Sequence, residues 1–211
     1  MARTVYLLFA LVAYSVFLAT FLYLIGFVGN LRELPRTVDR GPDGALAAAQ
    51  GVNLALLALF GLQHSIMARR GFKEAWTRIV PRPIERSVYV LLASLALILM
   101  FVFWRPIPGE VWRIDNPIGV GVMWALFAAG WLIVLLSTFL INHFELFGLT
   151  QGYNHFIGRE AAAPQFRQPF FYKWVRHPLY AGFFIGFWGA PGMSYGPLLL
   201  AAGMSVYMLL G

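Results

Sequence analysis

Long uncharged stretches separated by short charged ones set the pattern of this chain. Residues 4–31 carry no charge, with an apolar core over 5–28, and further uncharged stretches run 44–68, 87–104 and 116–144. A membrane crossing takes about 20 predominantly apolar residues, so each stretch predicts a transmembrane helix. The first is also far longer than the apolar region of a signal peptide, roughly 7–15 residues. A polar segment, 145–173, follows. Residues 177–211 are again uncharged but are broken by Pro191-Gly192 and Gly196-Pro197. That break predicts a hairpin with short arms, 179–190 and 198–210. At 1.5 Å per residue the first arm is about 18 Å long, below the roughly 30 Å of a bilayer core. It therefore starts earlier, near Tyr172, or is partly re-entrant. The second arm stops without a polar flank, as if the chain were cut within a helix. The pattern predicts an all-α, polytopic transmembrane bundle of five to six segments, forming one membrane-embedded domain over 1–211.

Composition supports this reading. The chain is 60% hydrophobic and 12% charged, against about 25% charged in a soluble domain. The net charge of +7 would suggest nucleic acid in a soluble protein. Here no basic run occurs outside a loop, so the expected partner is the lipid bilayer and not nucleic acid. No obligate protein partner is indicated. The chain has no cysteine, which excludes disulfides, thiolate metal sites and cysteine nucleophiles. No metal site is predicted.

Lysine and arginine give the orientation, because they accumulate in cytoplasmic loops. Arg3, the six basic residues of 69–86 and the four of 159–176 make 11 on one side, against five on the other (Arg32, Arg36, Arg40, Arg105 and Arg113). The side with 11 is expected to be cytoplasmic, in a bacterial inner membrane, with the N-terminus and active site inside. His64, His143, His155 and His177 all fall on that side.

The candidate chemistry lies in four runs. In Arg176-His177-Pro178-Leu179-Tyr180-Ala181-Gly182, proline suits a first helical turn and pushes His177 out of the α region. The free N–H groups beyond it favour an anion such as a ligand carboxylate, which Arg176 would pair in two-point fashion. A snorkelling arginine and an interfacial tyrosine fit the same residues. Tyr172 and Trp174 are the aromatics placed to meet a cationic ligand. Gln63-His64-Ser65 closes the second span, and a polar group within a span is a functional candidate. Asn142-His143-Phe144-Glu145 closes the fourth. His64, His143 and Glu145 are candidate general bases, although Glu145 also suits a capping or solvated role. Glu85-Arg86-Ser87 opens the third span.

These runs carry a resemblance. Arg176-His177-Pro178-Leu179-Tyr180 resembles the cofactor motif of the isoprenylcysteine carboxyl methyltransferase and phospholipid methyltransferase superfamily. Gln63-His64-Ser65, Glu85-Arg86-Ser87-Val88-Tyr89 and Asn142-His143-Phe144-Glu145-Leu146-Phe147-Gly148-Leu149 narrow it to the methanethiol S-methyltransferases of that superfamily, with NnrU-type membrane proteins as relatives. The resemblance implies S-adenosylmethionine as cofactor and a small thiol as substrate, with methanethiol going to dimethyl sulfide. It implies cofactor binding by Tyr172, Trp174, Arg176, His177, Pro178, Tyr180 and Gly182. The superfamily continues into a further membrane segment and a Glu-Glu, Gly and Tyr-containing motif. The chain to Gly211 is expected to lack that part of the cofactor site. Composition leaves other readings open: a haem or redox protein with His64 and His143 as axial ligands, a transporter with broken final helices, or methylation of a lipid or prenylcysteine.

Overall fold

The computed structural model describes residues 2–159 and 177–210. Four long helices form its frame: α1 (Ala2–Val28), α2 (Leu46–Ala68), α4 (Arg82–Phe103) and α5 (Pro117–Ile141). They have 27, 23, 22 and 25 residues. At 1.5 Å per residue they reach about 33–40 Å, enough to cross a roughly 30 Å hydrocarbon core. Shorter helices are α3 (Arg70–Trp76), α6 (His143–Leu146), α7 (Leu149–Phe156), α8 (Pro178–Trp188) and α9 (Tyr195–Leu210). The apolar α8 and α9 are the two arms of the expected hairpin. Four long and two short apolar helices agree with a polytopic membrane bundle.

The all-α expectation gains one small addition. Strands β1 (Glu110–Arg113) and β2 (Gly192–Ser194) pair antiparallel, with Trp112 opposite Met193. This ribbon joins the turn of the α8–α9 hairpin to the loop before α5.

Local sequence explains the helix boundaries. Asn116 caps α5 by accepting the Gly119 N–H at 2.7 Å, and Pro117 occupies its first turn, where a missing N–H costs nothing. Helix α4 starts at Arg82, five residues before the uncharged stretch. Pro83 fits its first turn, and Glu85 complements the positive helix end. The stretch 116–144 is not one helix. The chain turns extended at Asn142 and restarts as α6. Within the polar segment 145–173, the described part contains α7.

Packing tells the helices apart. Leu8, Val12, Leu54, Leu62, Val122 and Leu132 stay exposed on the long helices, as expected of surface facing lipid. Helix α4 packs on α1 and α2, α7 lies along α1, and α5 pairs with α8. The α5–α8 contact is made by glycines. A Cβ on Gly182 would lie 2.8 Å from the Gly130 carbonyl oxygen and 2.9 Å from the Val134 nitrogen. Only hydrogen fits there, and small residues are how membrane helices approach closely.

One end of the bundle is tied by polar clamps. The fully buried Asn53 donates to the Arg105 carbonyl at 2.8 Å and accepts from the Arg105 N–H at 2.9 Å. The Trp104 indole donates to the Val38 carbonyl at 3.1 Å. The other end, the histidine end, carries His64, His143, His155 and His177.

Candidate active site

His64 lies in the last two turns of α2, among aromatic rings from three helices. The Phe60 ring, one turn earlier, stacks on the imidazole at 5.4 Å. Tyr207 of α9 meets it edge-on at 6.3 Å. The Tyr89 hydroxyl of α4 lies 2.9 Å from Nε2. The opposite nitrogen, Nδ1, is buried and has no hydrogen-bond partner among the described residues. A buried polar atom without a partner costs about 1–3 kcal/mol, which makes it a marker for a ligand or a catalytic role.

Tyr89 is itself held. One turn earlier, Arg86 places its guanidinium 5.0 Å from the Tyr89 ring centroid. The same side chain donates from Nε to the Leu146 carbonyl at 2.7 Å. Ser87 lies against Gly148, whose φ of +90° and contact with the Ser87 backbone nitrogen leave no room for a Cβ. Three runs far apart in sequence, 63–65, 85–89 and 142–149, therefore meet at the histidine end.

His143 is in a different state. It is 4% exposed, and both ring nitrogens are bonded. Thr138 donates its one hydroxyl proton to the Leu135 carbonyl at 2.6 Å. At 2.8 Å from Nδ1, the same hydroxyl must therefore accept from Nδ1–H. Nε2 is then the acceptor for the Tyr14 hydroxyl, also 2.8 Å away. Phe139 stacks on the ring at 4.2 Å. Burial pushes the His143 pKa below its ordinary 6.5. A neutral, fully bonded imidazole has no lone pair left for haem iron. The axial-ligand reading of His64 with His143 fails on that ground.

Glu145, in α6, accepts from the Asn142 side chain at 2.6 Å, and its backbone carbonyl accepts from Gln151 at 3.0 Å. The carboxylate bond is an exposed side-chain pair, and no side-chain cap is made at the start of α6. His177 flanks α8 with φ −135°, and Pro178 takes the first helical position. The His177 ring stacks on Tyr180 at 5.4 Å, and Tyr180 remains 39% exposed. Pro178 is buried. Gly182 is turned against α5, so its surroundings are a helix contact rather than a cavity wall. Tyr172, Trp174 and Arg176 lie outside the described residues.

Sequence reading passed over Tyr14 and Tyr207. Both are tyrosines inside apolar helices, and their hydroxyls gave the only signal. Tyr89 was part of an informative run, but nothing in that run pointed to His64.

No family model matches the chain, and no solved structure matches it. Curated relatives do. It is 50% identical over 204 residues to methanethiol S-methyltransferase 1 of Bradyrhizobium diazoefficiens, covering 97% of this chain and 71% of that protein. It is 47% identical over 209 residues to methanethiol S-methyltransferase of Crocosphaera subtropica, covering 99% of this chain and 82% of the relative. The corresponding protein of Mycobacterium tuberculosis is 48% identical over 209 residues, covering 99% of this chain and 85% of the relative.

Proposed function

The chain belongs to the methanethiol S-methyltransferase family, and from that premise we propose that it methylates methanethiol to dimethyl sulfide with S-adenosylmethionine as donor. The donor set at the start of α8 fits such a cofactor. The Leu179 and Tyr180 N–H groups lie in the first turn, where a helix has no internal acceptor for them, and they suit a carboxylate. The stacked His177 and Tyr180 rings suit the cationic and aromatic parts of the molecule. Tyr172, Trp174 and Arg176 complete this binding set in our reading, with Arg176 on the carboxylate. When bound, the cofactor supplies an electrophilic methyl group on a sulfonium.

The protein's own task is to hold the thiol in line and accept one proton, because the thiolate is the effective nucleophile. The unpartnered Nδ1 of His64 carries this assignment. With Nε2–H donating to Tyr89, and the Tyr89 proton directed to the His64 carbonyl at 3.4 Å, Nδ1 keeps its lone pair free for the thiol proton. Phe60, Tyr89 and Tyr207 fix the ring and exclude water around it. His143, bonded on both sides, stabilises the junction of α1, α5 and α6. The Lys/Arg bias supports a cytoplasmic histidine end and N-terminus.

The test is headspace detection of dimethyl sulfide from membranes that contain the protein and receive methanethiol and S-adenosylmethionine. Dimethyl sulfide above membranes lacking the protein is expected. Label transfer to lipid or prenylcysteine with no dimethyl sulfide would overturn the substrate assignment.

A further inference from the structure

A separate cleft at the histidine end has basic groups from three elements and, among the described residues, no acidic one. It encloses about 350 Å³ and is lined by Arg3, Arg82, Gln151, Asn154, His155 and Arg159, together with Pro83 and Gly158. Arg3 lies in the first turn of α1, Arg82 is the first residue of α4, and Arg159 follows α7.

The fold forces these charges together. Helix α7 is fastened along α1 by the Tyr6–His155 stack at 5.3 Å and by Gly152, where a Cβ would lie 2.8 Å from the Ala10 Cβ. Gly158, at φ +74°, then turns the chain so closely over Arg3 that a Cβ there would lie 3.1 Å from Nη1. The Arg159 N–H closes this turn on the Asn154 carbonyl at 2.8 Å.

The cleft is therefore strongly positive. Neither ion pair among the described residues involves Arg3, Arg82 or Arg159. Two long helices, α1 and α4, also begin here, and a helix start carries roughly half a positive charge. Arginine at such a position opposes the dipole, which Glu85 offsets at the start of α4 only, so an anion in the cleft is favoured. The guanidinium fork matches phosphate oxygens in two-point fashion. Gln151 adds an independent sign of a ligand. Its Oε1 is buried with no partner among the described residues and suits a hydroxyl beside the phosphate.

We propose that the cleft of Arg3, Arg82 and Arg159 binds a phosphate group, carried by an anionic phospholipid headgroup or by a free phosphate. The site is distinct from His64, and its test reads binding rather than turnover.

The full chain, purified in neutral detergent, is titrated with phosphatidylglycerol, phosphatidylcholine and inorganic phosphate, with binding read by native mass spectrometry and by the thermal midpoint. Phosphatidylglycerol is expected to bind and to raise the midpoint, with Arg82→Gln/Arg159→Gln weakening it at least roughly tenfold, the scale of a lost charge-assisted bond. Arg70→Gln is the control, because Arg70 is 93% exposed and pairs with Glu74 outside the cleft. Arg159→Gln alone carries the same expectation if the double variant does not fold. Inorganic phosphate that binds with the same arginine dependence and competes with the lipid would identify a free phosphate as the ligand. Equal binding of both anions by wild type and cleft variants, or an equal loss in Arg70→Gln, would overturn the proposal.

Discussion

The Tyr89 hydroxyl lies 2.9 Å from Nε2 of His64, so a residue of α4 holds one nitrogen of an α2 imidazole whose other nitrogen is buried with no partner among the described residues. This asymmetry separates His64 from His143 and gives the two histidines different expected phenotypes.

Loss of the His64 ring should act on turnover. His64→Ala is expected to lower kcat by roughly 100-fold or more, the scale of a positioned base, with the Kd for S-adenosylmethionine nearly unchanged. Steady-state kinetics with calorimetry would show the split. Near-full turnover across neutral pH would move the proton acceptance to another group.

Tyr89→Phe keeps the aromatic ring under Arg86 but removes the hydroxyl. Losing one hydrogen bond of about 1 kcal/mol and freeing the ring should reduce kcat by roughly 5–10-fold, with little change in thiol KM. In a His64→Ala background the same change should have almost no effect, because Tyr89 acts through His64. Additive losses in this cycle would break the link between the two residues.

His143 should govern stability instead. Its folded pKa is lowered by burial, so below about pH 6.5 the unfolded chain binds more protons than the folded one. Stability from this group is full above that pH and declines as pH falls. His143→Gln should flatten the acid limb of a thermal-midpoint profile between pH 7 and 5. It should also lower the midpoint at pH 7, since Tyr14 and Thr138 lose partners. An unchanged acid limb would show that His143 is not the group responsible.

Gly182 distinguishes a packing role from cofactor contact. Gly182→Ala places a Cβ within 2.9 Å of backbone atoms of α5, and backbone yields poorly. A destabilisation of roughly 1–3 kcal/mol or more is expected from such overpacking, read as a lower thermal midpoint without ligand. A normal midpoint with weakened S-adenosylmethionine binding would restore the cofactor role for this residue.

Orientation is open to a direct test, since the chain has no native cysteine. Arg78→Cys should be shielded from a membrane-impermeant thiol reagent in intact cells, and Asp115→Cys should be labelled. Labelling at 78 but not at 115 would invert the topology.

The amino-acid order alone determined where the membrane helices lie and which end of the bundle gathers the histidines. Both follow from local composition. Some twenty apolar residues in a row have one stable state in a bilayer, a helix with its backbone bonds satisfied internally. The Asn116 cap and the first-turn proline Pro178 then mark helix starts within one segment of chain. Even there the limits shifted, because Arg82 and Arg86 continue α4 beyond its uncharged core.

The tertiary structure decided what each polar residue does. His64 and His143 look alike in sequence, each closing a span. Their difference comes from Tyr89, 25 positions from His64, and Tyr14, 129 positions from His143. Gly182 read as part of a cofactor motif until α5 was packed against it, and the Arg3–Arg82–Arg159 cleft exists only because α7 folds back along α1. Hydrogen-bond partners and close approaches are set by which helix faces meet. No local pattern encodes that choice, since the long helices are apolar on nearly every side.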